Sequence, residues 1–508
     1  MSRFWPRTDV SSREPPMSHK GNQIEIARQF ATAILLCLTA VLHAQPKPSQ
    51  SAAPPATVPA IFLSDIHLDV YADPAKFPQL LAAPTSEWGS ILGSNDSPSR
   101  AKDFASLVKA CPDFAADTDD RLWQSALAAL HASSRGARFA TVTGDLLAHS
   151  FDCKYRKLAP RPNTQEYLAF TAKTVEYIVS GLKSALPGIP IYFALGNNDS
   201  GCGDYHLQGS GDAFLTAIAP ILAGTLPAVA RQSAETDLAA AGHYSALLPA
   251  PFVRTRIISV DDIYFSSLYK NCAAQPDPTA AAAQLDWLTT QFAAARERHE
   301  RVWFLGHIPP GVNLYASARR LIGACSANSV QPFLSSDSLA KALTENADII
   351  PLGLFGHTHA DEIRLLSPED LAPGKSGPAI PLKVVPPITP INGDFPSFLV
   401  AKIRPTNGTL VDYTAIMASN TSGIGATWKP NYTYSARYHK PAFDSASVTA
   451  LIRAFHADSA LSTPESQSYV SNYVEGAPTP LLQLAWRPYT CAMSHTTSKS
   501  FAACACGE

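Results

Sequence analysis

Seven residues of the kinds that bind divalent metal ions each follow a short apolar run. They are Asp65, His67, Asp145, Asn197, His307, His357 and His359, in the strings LSDIHLD, TGDLLAH, LGNND, LGHIPPG and FGHTH. A mixture of carboxylate, amide oxygen and imidazole suits Zn, Mn or Fe better than calcium. Seven ligands are too many for one ion, so the sequence predicts two metal sites that share a bridging carboxylate. Such a pair of ions can hold both the attacking and the leaving oxygen of a phosphoryl displacement.

Short apolar runs alternate with longer helical stretches in the part of the chain that carries these residues. The pattern predicts buried strands at 60–64, 138–144, 191–196, 256–260, 301–306 and 352–356, and helices at 121–134, 164–185, 280–299 and 336–346. This alternation is typical of an α/β fold, in which sites form where strands end. Residues 379–417 carry strand patterns without helices between them, which predicts a second, meander-like sheet. Residues 418–508 are expected to form a small helical, cysteine-containing region.

The N-terminal residues predict export. An apolar run at 30–42 is too short to span a membrane but fits the core of a signal peptide over 1–44, with an uncleaved anchor as the alternative. Residues 45–59 are rich in Pro, Ala and Ser and predict a linker. Eight cysteines would remain after cleavage, and an even number predicts disulfides, with a zinc–thiolate cluster as the alternative. The expected location is secreted or periplasmic.

The overall charge argues against nucleic acid as a partner. Forty Lys and Arg against 42 Asp and Glu leave a formal net charge of -2, without a basic patch. We expect a monomer that acts on a small phosphodiester, nucleotide or phospholipid head-group substrate. Aromatic residues near the C-terminus predict either a rim that contacts membranes transiently or packing against the rest of the fold. They are Trp428, Tyr432, Tyr434, Tyr438, Trp486 and Tyr489.

The ordered series of motifs resembles the calcineurin-like metallophosphoesterase superfamily, and in particular its acid sphingomyelinase-like phosphodiesterase branch. The strings that carry the resemblance are SDIHLD, TGDLLAH, GHIPPG, GHTHADE and PPITPINGDFPSF, and the similar region covers residues 60–417. The resemblance implies a four-layer β-sandwich flanked by helices. It also implies that one divalent ion is held by Asp65, His67, Asp145 and His359, and the other by Asp145, Asn197, His307 and His357. The implied ions are Zn, with Mn or Fe as alternatives, and Asp145 is the implied bridge.

Two positions near these motifs are candidates for catalytic roles. The superfamily usually has a histidine where this chain has Asn198, and the endopolyphosphatases of the superfamily resemble the version found here. An amide cannot donate and accept protons in catalysis, but Asn198 can donate a hydrogen bond to a phosphoryl oxygen. His149, four residues after Asp145, lies where sphingomyelinase-like enzymes have a histidine that faces the substrate. It is the candidate general acid, with an exposed loop histidine as the alternative.

The function that these residues predict is a binuclear phosphodiesterase that uses metal-activated water. An endopolyphosphatase or nucleotide phosphohydrolase is the alternative within the enzymes, and a non-catalytic metal-bound binding protein is the alternative outside them. The resemblance further implies a disulfide between Cys272 and Cys325. The remaining pairings cannot be deduced from spacing, although Cys491, Cys504 and Cys506 are expected to pair among themselves or with one other cysteine.

Overall fold

The computed structural model describes residues 56–111, 116–314, 316–317, 327–476 and 480–507. The expected signal peptide at 1–44 and most of the expected linker at 45–59 lie outside these residues. Among the helices described, none combines the length and the apolar character that a membrane crossing requires.

Two six-stranded sheets form the centre of the described chain. Their strands are β1 (Val58–Leu63), β2 (Ala140–Thr143), β3 (Ile191–Ala194), β4 (Tyr244–Leu247), β5 (Thr255–Ser259), β6 (Arg301–Leu305), β7 (Leu352–Phe355), β8 (Glu362–Leu366), β9 (Ile380–Val384), β10 (Ser397–Arg404), β11 (Thr409–Ala418) and β12 (Trp428–Thr433). The first sheet has the order β12-β11-β10-β1-β2-β3, and the second has the order β4-β5-β6-β7-β9-β8. β1, β2 and β3 are parallel, as are β5, β6, β7 and β9. The mixed α/β class is confirmed.

Helices occupy most of the connections between these strands. They are α1 (Phe77–Ala82), α2 (Trp88–Leu92), α3 (Arg100–Ala110), α4 (Asp120–Ser133), α5 (Phe151–Leu158), α6 (Thr164–Ala185), α7 (Ala213–Ala223), α8 (Ala228–Ala241), α9 (Pro278–Glu297), α10 (Ser338–Thr344), α11 (Pro368–Leu371), α12 (Tyr434–Tyr438), α13 (Ser445–Ala457), α14 (Pro464–Tyr473), α15 (Pro480–Leu484), α16 (Trp486–Ala492) and α17 (Ser498–Cys506). Side chains cap the long helices: Asp119 accepts the N–H of Leu122 at the start of α4, and Asn163 accepts that of Glu166 in α6. The four helices predicted from the sequence are α4, α6, α9 and α10.

Aromatic side chains from both sheets fill the space between them. The ring of Trp303 in β6 lies 5.8 Å from that of Phe62 in β1 and 5.5 Å from that of Phe139, just before β2. All three side chains are buried, and the Trp303 indole N–H donates to the carbonyl of Gly408 at 2.8 Å. Replacing such a tryptophan with alanine costs about 3–5 kcal/mol. This packing fixes the two sheets, and therefore the loops that follow their strands, against each other.

The expectation of a separate sheet at 379–417 is wrong. β9 pairs with β7 and β8 in the second sheet, whereas β10 and β11 extend the first sheet beyond β1, with Val58 opposite Ile403. Local pattern predicts that a segment is a strand, but its partner depends on long-range register. The region expected to be helical also contains a strand, because β12 pairs with β11 before the chain becomes helical.

The C-terminal aromatic residues pack inside the protein. Five of the six are at most 5% exposed: Tyr432, Tyr434, Tyr438, Trp486 and Tyr489. The sixth, Trp428, is partly buried, and its indole N–H donates to Ser125 at 2.9 Å. The packing alternative is therefore confirmed, and these residues do not form a rim that contacts membranes.

Disulfides join Cys111 to Cys153, Cys202 to Cys272 and Cys491 to Cys504. The expected bridge from Cys272 to Cys325 is therefore wrong, and Cys325 lies outside the described residues. The physical reason is that residues 205–207 run alongside residue 270, with two backbone hydrogen bonds of 3.1 and 3.2 Å between them. This contact brings the Cα atoms of the bonded pair to 5.5 Å. The expectation that the C-terminal cysteines pair among themselves is confirmed for Cys491 and Cys504.

Candidate binuclear metal centre

Five of the seven predicted ligands have a left-handed backbone conformation. The φ angles are 47° at Asp65, 44° at His67, 53° at Asp145, 72° at His357 and 51° at His359. Residues other than glycine rarely adopt this region, at a cost of about 1–3 kcal/mol each, and such outliers concentrate at functional sites. The tight turns direct the side chains that follow β1, β2 and β7 towards one place.

Glycines in the ligand motifs allow the loops to approach closely. A Cβ on Gly196 would clash with Asp145 Oδ1, and a Cβ on Gly356 would lie only 2.7 Å from Asp65 Oδ2. The residue before Asn197 and the residue before His357 therefore have to be glycine. The carboxylates from one loop can then lie against the backbone of another.

The first cluster contains Asp65, His67, Asp145 and His359. Nε2 of His67 lies 3.1 Å from Nε2 of His359 and 3.3 Å from Oδ2 of Asp145. Oδ1 of Asp65 lies 3.3 Å from Nε2 of His359 and 3.9 Å from Nε2 of His67. The four ligand atoms lie within 4.8 Å of one another, and all four residues are buried.

The second cluster adjoins the first through Asp145. Nε2 of His307 lies 3.2 Å from Oδ2 of Asp145 and 3.1 Å from Oδ1 of Asn197. Nδ1 of His357 lies 2.9 Å from the same oxygen of Asn197. The structure thus brings all seven predicted ligands together. Oδ2 of Asp145 lies in both clusters, where a bridging ligand would be.

Hydrogen bonds from the far side of each ring orient the ligand atoms. Nδ1 of His67 donates to the carbonyl of Leu147 at 2.9 Å, and Nδ1 of His307 donates to that of Thr143 at 2.7 Å. Nε2 is therefore the nitrogen that each ring presents to the cluster. The amide nitrogen of Asn197 donates to Asp204 at 2.7 Å, which turns its oxygen towards the histidines.

The geometry of both clusters fits divalent ions. Zn bonds of about 2.0–2.2 Å to nitrogen and oxygen in a tetrahedron place the ligand atoms about 3.4 Å apart. The separations of 2.9–3.9 Å between neighbouring ligand atoms surround that value. Carboxylate, amide and imidazole donors without a thiolate are compatible with Zn, Mn or Fe.

The charges inside the site favour cations. Burial would raise the pKa of Asp145, but His307 and His67 outweigh burial and hold the pKa of this carboxyl well below its usual range. Burial also opposes a charge on His307, yet Asp145 raises the pKa of His307 to about 10. The attraction that favours a proton on His307 also favours a metal ion in its place, because both add positive charge beside an ionised carboxylate.

Comparison with known proteins decides the family. A family model described as calcineurin-like phosphoesterase matches residues 58–361, which contain all seven predicted ligands and more than half of the chain. The chain belongs to this family. The curated relatives of this phosphoesterase include phosphodiesterases. The chain is 30% identical to sphingomyelinase phosphodiesterase C of Dictyostelium discoideum over 203 residues, and this alignment covers 40% of this chain and 41% of that relative. The first of these relatives is thus matched over less than half of its length.

A longer match comes from a second relative. The phosphoesterase is 24% identical over 457 residues to the cyclic GMP-AMP phosphodiesterase SMPDL3A of Bos taurus. This alignment covers 87% of this chain and 89% of that relative. Among solved structures, GAP50, the anchor in the inner membrane complex of Plasmodium, aligns over 78% of this chain and 95% of its own. Its identity is 12% and its TM-score 0.31, too low for any conclusion. The chain thus contains a metal-dependent phosphoesterase domain, and both of these curated relatives are named phosphodiesterases.

His149 lies beside the first cluster of the phosphoesterase. Its ring stacks on that of His67, with a centroid distance of 4.1 Å, and its side chain is 28% exposed. Nδ1 of His149 lies 3.0 Å from Oδ1 of Asp117, and the backbone N–H of His149 donates to the other carboxylate oxygen at 2.9 Å. Burial would raise the pKa of Asp117, but His149 and His67 outweigh burial and hold it well below its usual range. His149 is therefore oriented by an ionised carboxylate.

Asn198 contacts the carboxylate that lies in both clusters. Its backbone N–H donates to Oδ1 of Asp145 at 2.8 Å, and its side-chain amide donates to Oδ2 of the same residue at 3.0 Å. One hydrogen of the side-chain amide is thus used to hold Asp145. The second hydrogen remains for the predicted contact with a phosphoryl oxygen.

Sequence reasoning missed the carboxylates that support the ligand loops. Asp117 orients His149, and two further buried residues, Asp199 and Asp262, hold backbone N–H groups. Asp199 accepts from Leu146 and Gly196, while Asp262 accepts from His307 and Ile308. Asp199 could have been found from the sequence, because it is the final residue of the motif LGNND. Asp117 lies in the acidic run DTDD, in which no spacing distinguishes it, and Asp262 has no local signal.

Proposed function

We propose that this phosphoesterase is a secreted or periplasmic binuclear phosphodiesterase that hydrolyses phosphodiester or phosphoanhydride bonds by attack of water. The observation that carries the proposal is His149, which is stacked on a ligand of the first cluster and oriented by Asp117. An acid placed next to a metal centre suits cleavage of an ester whose leaving oxygen needs a proton. We propose that the enzyme acts as a monomer on a small substrate, with any membrane contact transient.

Export is supported by the cysteines. The disulfides at Cys111–Cys153, Cys202–Cys272 and Cys491–Cys504 require an oxidising compartment to form and persist. The predicted signal peptide at 1–44 supplies a route to such a compartment. Expression followed by N-terminal sequencing of the exported protein tests this part of the proposal, with cleavage near Ala44 as the expected result.

In the proposed mechanism, the seven ligands hold the metal ions and His149 delivers the proton. When bound, two divalent ions supply Lewis-acid activation of water and of the phosphoryl group. The buried carboxylates of Asp65 and Asp145 hold these charges in place. Asn198 donates its remaining amide hydrogen to a phosphoryl oxygen. His149 keeps Nδ1–H on Asp117, so the proton that it delivers to the leaving oxygen is the one on Nε2.

Asp117 acts through His149. Its carboxylate also accepts the hydroxyl of Thr389 at 2.9 Å, so three groups fix its position. An ionised carboxylate at Nδ1 fixes the ring orientation and stabilises the cationic imidazole. Asp117 is therefore a positioning residue in the proposed mechanism.

A substrate panel tests the proposed function. The metal-loaded protein is assayed with a chromogenic phosphodiester, sphingomyelin, a cyclic dinucleotide, nucleoside di- and triphosphates, and polyphosphate. Hydrolysis of diesters ahead of the others supports the phosphodiesterase. Preference for polyphosphate or nucleotides supports the alternative that the Asn198 motif suggests. No hydrolysis of any member with both ions bound would leave the non-catalytic binding protein.

A further inference from the structure

Tyr205 contacts a predicted ligand of the second metal ion. Its hydroxyl oxygen Oη lies 3.3 Å from Nε2 of His357, and the two rings meet edge to face with their centroids 6.2 Å apart. The opposite nitrogen of the same imidazole, Nδ1, lies 2.9 Å from Oδ1 of Asn197 and therefore faces the second cluster. The two nitrogens of His357 thus have different neighbours, a ligand oxygen on one side and a phenol on the other.

The phenol of Tyr205 occupies the position that backbone carbonyls occupy behind two other ligands. His67 and His307 present Nε2 to the clusters and turn Nδ1 towards a carbonyl. His357 is turned the other way, with Nδ1 towards the cluster and Nε2 towards Tyr205. A metal ion takes an unprotonated nitrogen, so a ring that binds through Nδ1 carries its proton on Nε2. Oη of Tyr205 is placed to accept that N–H.

The loop that carries Tyr205 also holds Asn197, another predicted ligand of the second ion. The backbone N–H of Tyr205 donates to the carbonyl of Asn197 at 3.0 Å, and the side-chain amide of Asn197 donates to Asp204 at 2.7 Å. The φ angle of Tyr205 is 56°, a left-handed conformation that is rare outside glycine and concentrates at functional sites. Both ligands that this loop contacts, Asn197 and His357, are assigned to the second ion.

The loop of Tyr205 is itself held in place by the segment before α9. The disulfide between Cys202 and Cys272 joins the two segments. Between them, the N–H of Lys270 donates to the carbonyl of Tyr205 at 3.1 Å, and the N–H of Leu207 donates to the carbonyl of Lys270 at 3.2 Å. A group that orients a metal ligand has to be fixed by its own surroundings. These links fix the backbone of Tyr205 on both sides.

We propose that Tyr205 is a positioning residue for the second metal ion, because its hydroxyl accepts Nε2–H of His357 and so directs Nδ1 to the ion. The inference rests on the proposed binuclear centre and deepens it, since it assigns one loop to one of the two ions. Removing the group behind a metal-binding histidine typically weakens metal binding by about 10- to 100-fold. Loss of the Tyr205 hydroxyl should therefore weaken binding of the second ion and leave binding of the first unchanged.

The test compares Tyr205→Phe with wild type and with the matched control Tyr269→Phe. Tyr269 donates its hydroxyl to the carbonyl of Leu207 at 3.0 Å, so the control also removes one hydroxyl bond of this loop, but none to a metal ligand. Metal is first removed from each protein, and zinc binding is then measured by competition with a chromogenic chelator. We expect the second zinc ion to bind about 10- to 100-fold more weakly in Tyr205→Phe. Both affinities should be unchanged in the control.

Two further measurements separate positioning from other roles. In crystals of Tyr205→Phe grown at limiting zinc, anomalous diffraction should show reduced occupancy at the peak beside Asn197 and His357. Hydrolysis of bis(4-nitrophenyl) phosphate by this variant should fall at limiting zinc and recover at saturating zinc, because all seven ligands are still present. A general structural defect would not be reversed by metal.

Several results would overturn the inference. Unchanged zinc affinities in Tyr205→Phe would do so, and an equal loss in Tyr269→Phe would assign the effect to the loop and not to the hydroxyl. Reduced occupancy beside Asp65 and His359 would assign it to the wrong ion. A rate that stays low at saturating zinc would show that the hydroxyl acts on the substrate instead. Because zinc binding needs no turnover, an absence of hydrolysis in wild type would count against the proposed function alone, whereas a single zinc ion in wild type would contradict the binuclear centre and this inference together.

Discussion

Replacing His149 tests the proposed acid, because its effect should depend on the leaving group. His149→Ala removes the nitrogen that delivers the proton, but it also removes a ring stacked 4.1 Å from His67. His149→Phe keeps an aromatic ring in that position and cannot carry a proton. The two variants together separate proton delivery from support of the metal ligand.

The expected magnitude follows from the role of a positioned acid. General acid catalysis contributes about 10² to 10⁴ in rate, which is about 2.7–5.5 kcal/mol of transition-state stabilisation. Both variants should lose this factor with an alkyl phosphodiester, whose alkoxide needs a proton to leave. Both should lose far less with a nitrophenyl diester, since nitrophenolate leaves without a proton. The measurement is kcat for the two substrates with metal content verified in each variant.

A surface histidine provides the control. The side chain of His439 is 75% exposed, and His439→Ala should leave both rates unchanged. Equal losses for the two leaving groups in His149→Phe would contradict proton delivery by His149. His149 would then position the phosphoryl group or a metal ligand, and another residue would deliver the proton.

Three further substitutions test the supporting residues. Asp117→Asn should lower kcat for the alkyl diester, because the substitution removes the charge that stabilises the cationic imidazole, but by less than His149→Ala does. An equal loss of kcat with the nitrophenyl diester would contradict this role. Asp145→Ala should lose both ions, as measured by elemental analysis, whereas retention of one ion would contradict a shared ligand. Burial and the charge of Asp65 raise the pKa of Asp394 to about 7, and neither of its carboxylate oxygens accepts a hydrogen bond from the described residues. The stability that protonation of Asp394 supplies is therefore lost as pH rises from about 4 to 7. Asp394→Asn should therefore raise the free energy of unfolding by about 2–3 kcal/mol more at pH 8 than at pH 5, measured in urea; an equal change at both pH values would contradict the cause.

The seven candidate ligands were predictable because each is marked locally. An apolar run that ends in Asp65 or His307 specifies both a buried strand and a polar side chain at its end, and neither statement depends on distant residues. The bridging position of Asp145 came from the family resemblance. The structure places its carboxylate between histidines that come from both sheets.

What the sequence did not reveal depends on contacts between distant segments. The hydrogen bond from His149 to Asp117 joins the end of one strand to a loop before a helix. No sequence signal distinguishes Asp117 from the acidic residues beside it. The partner of Cys272 depended on which loop lies beside residue 270.

The most direct test of the binuclear centre is anomalous diffraction at the zinc edge from crystals of the active, metal-loaded protein. Two peaks about 3.5–4 Å apart are expected. One should lie among Asp65, His67 and His359, and the other among Asn197, His307 and His357, with Asp145 between them. A single peak in active protein, or two peaks with Asp145 remote from one of them, would contradict a binuclear centre bridged by Asp145.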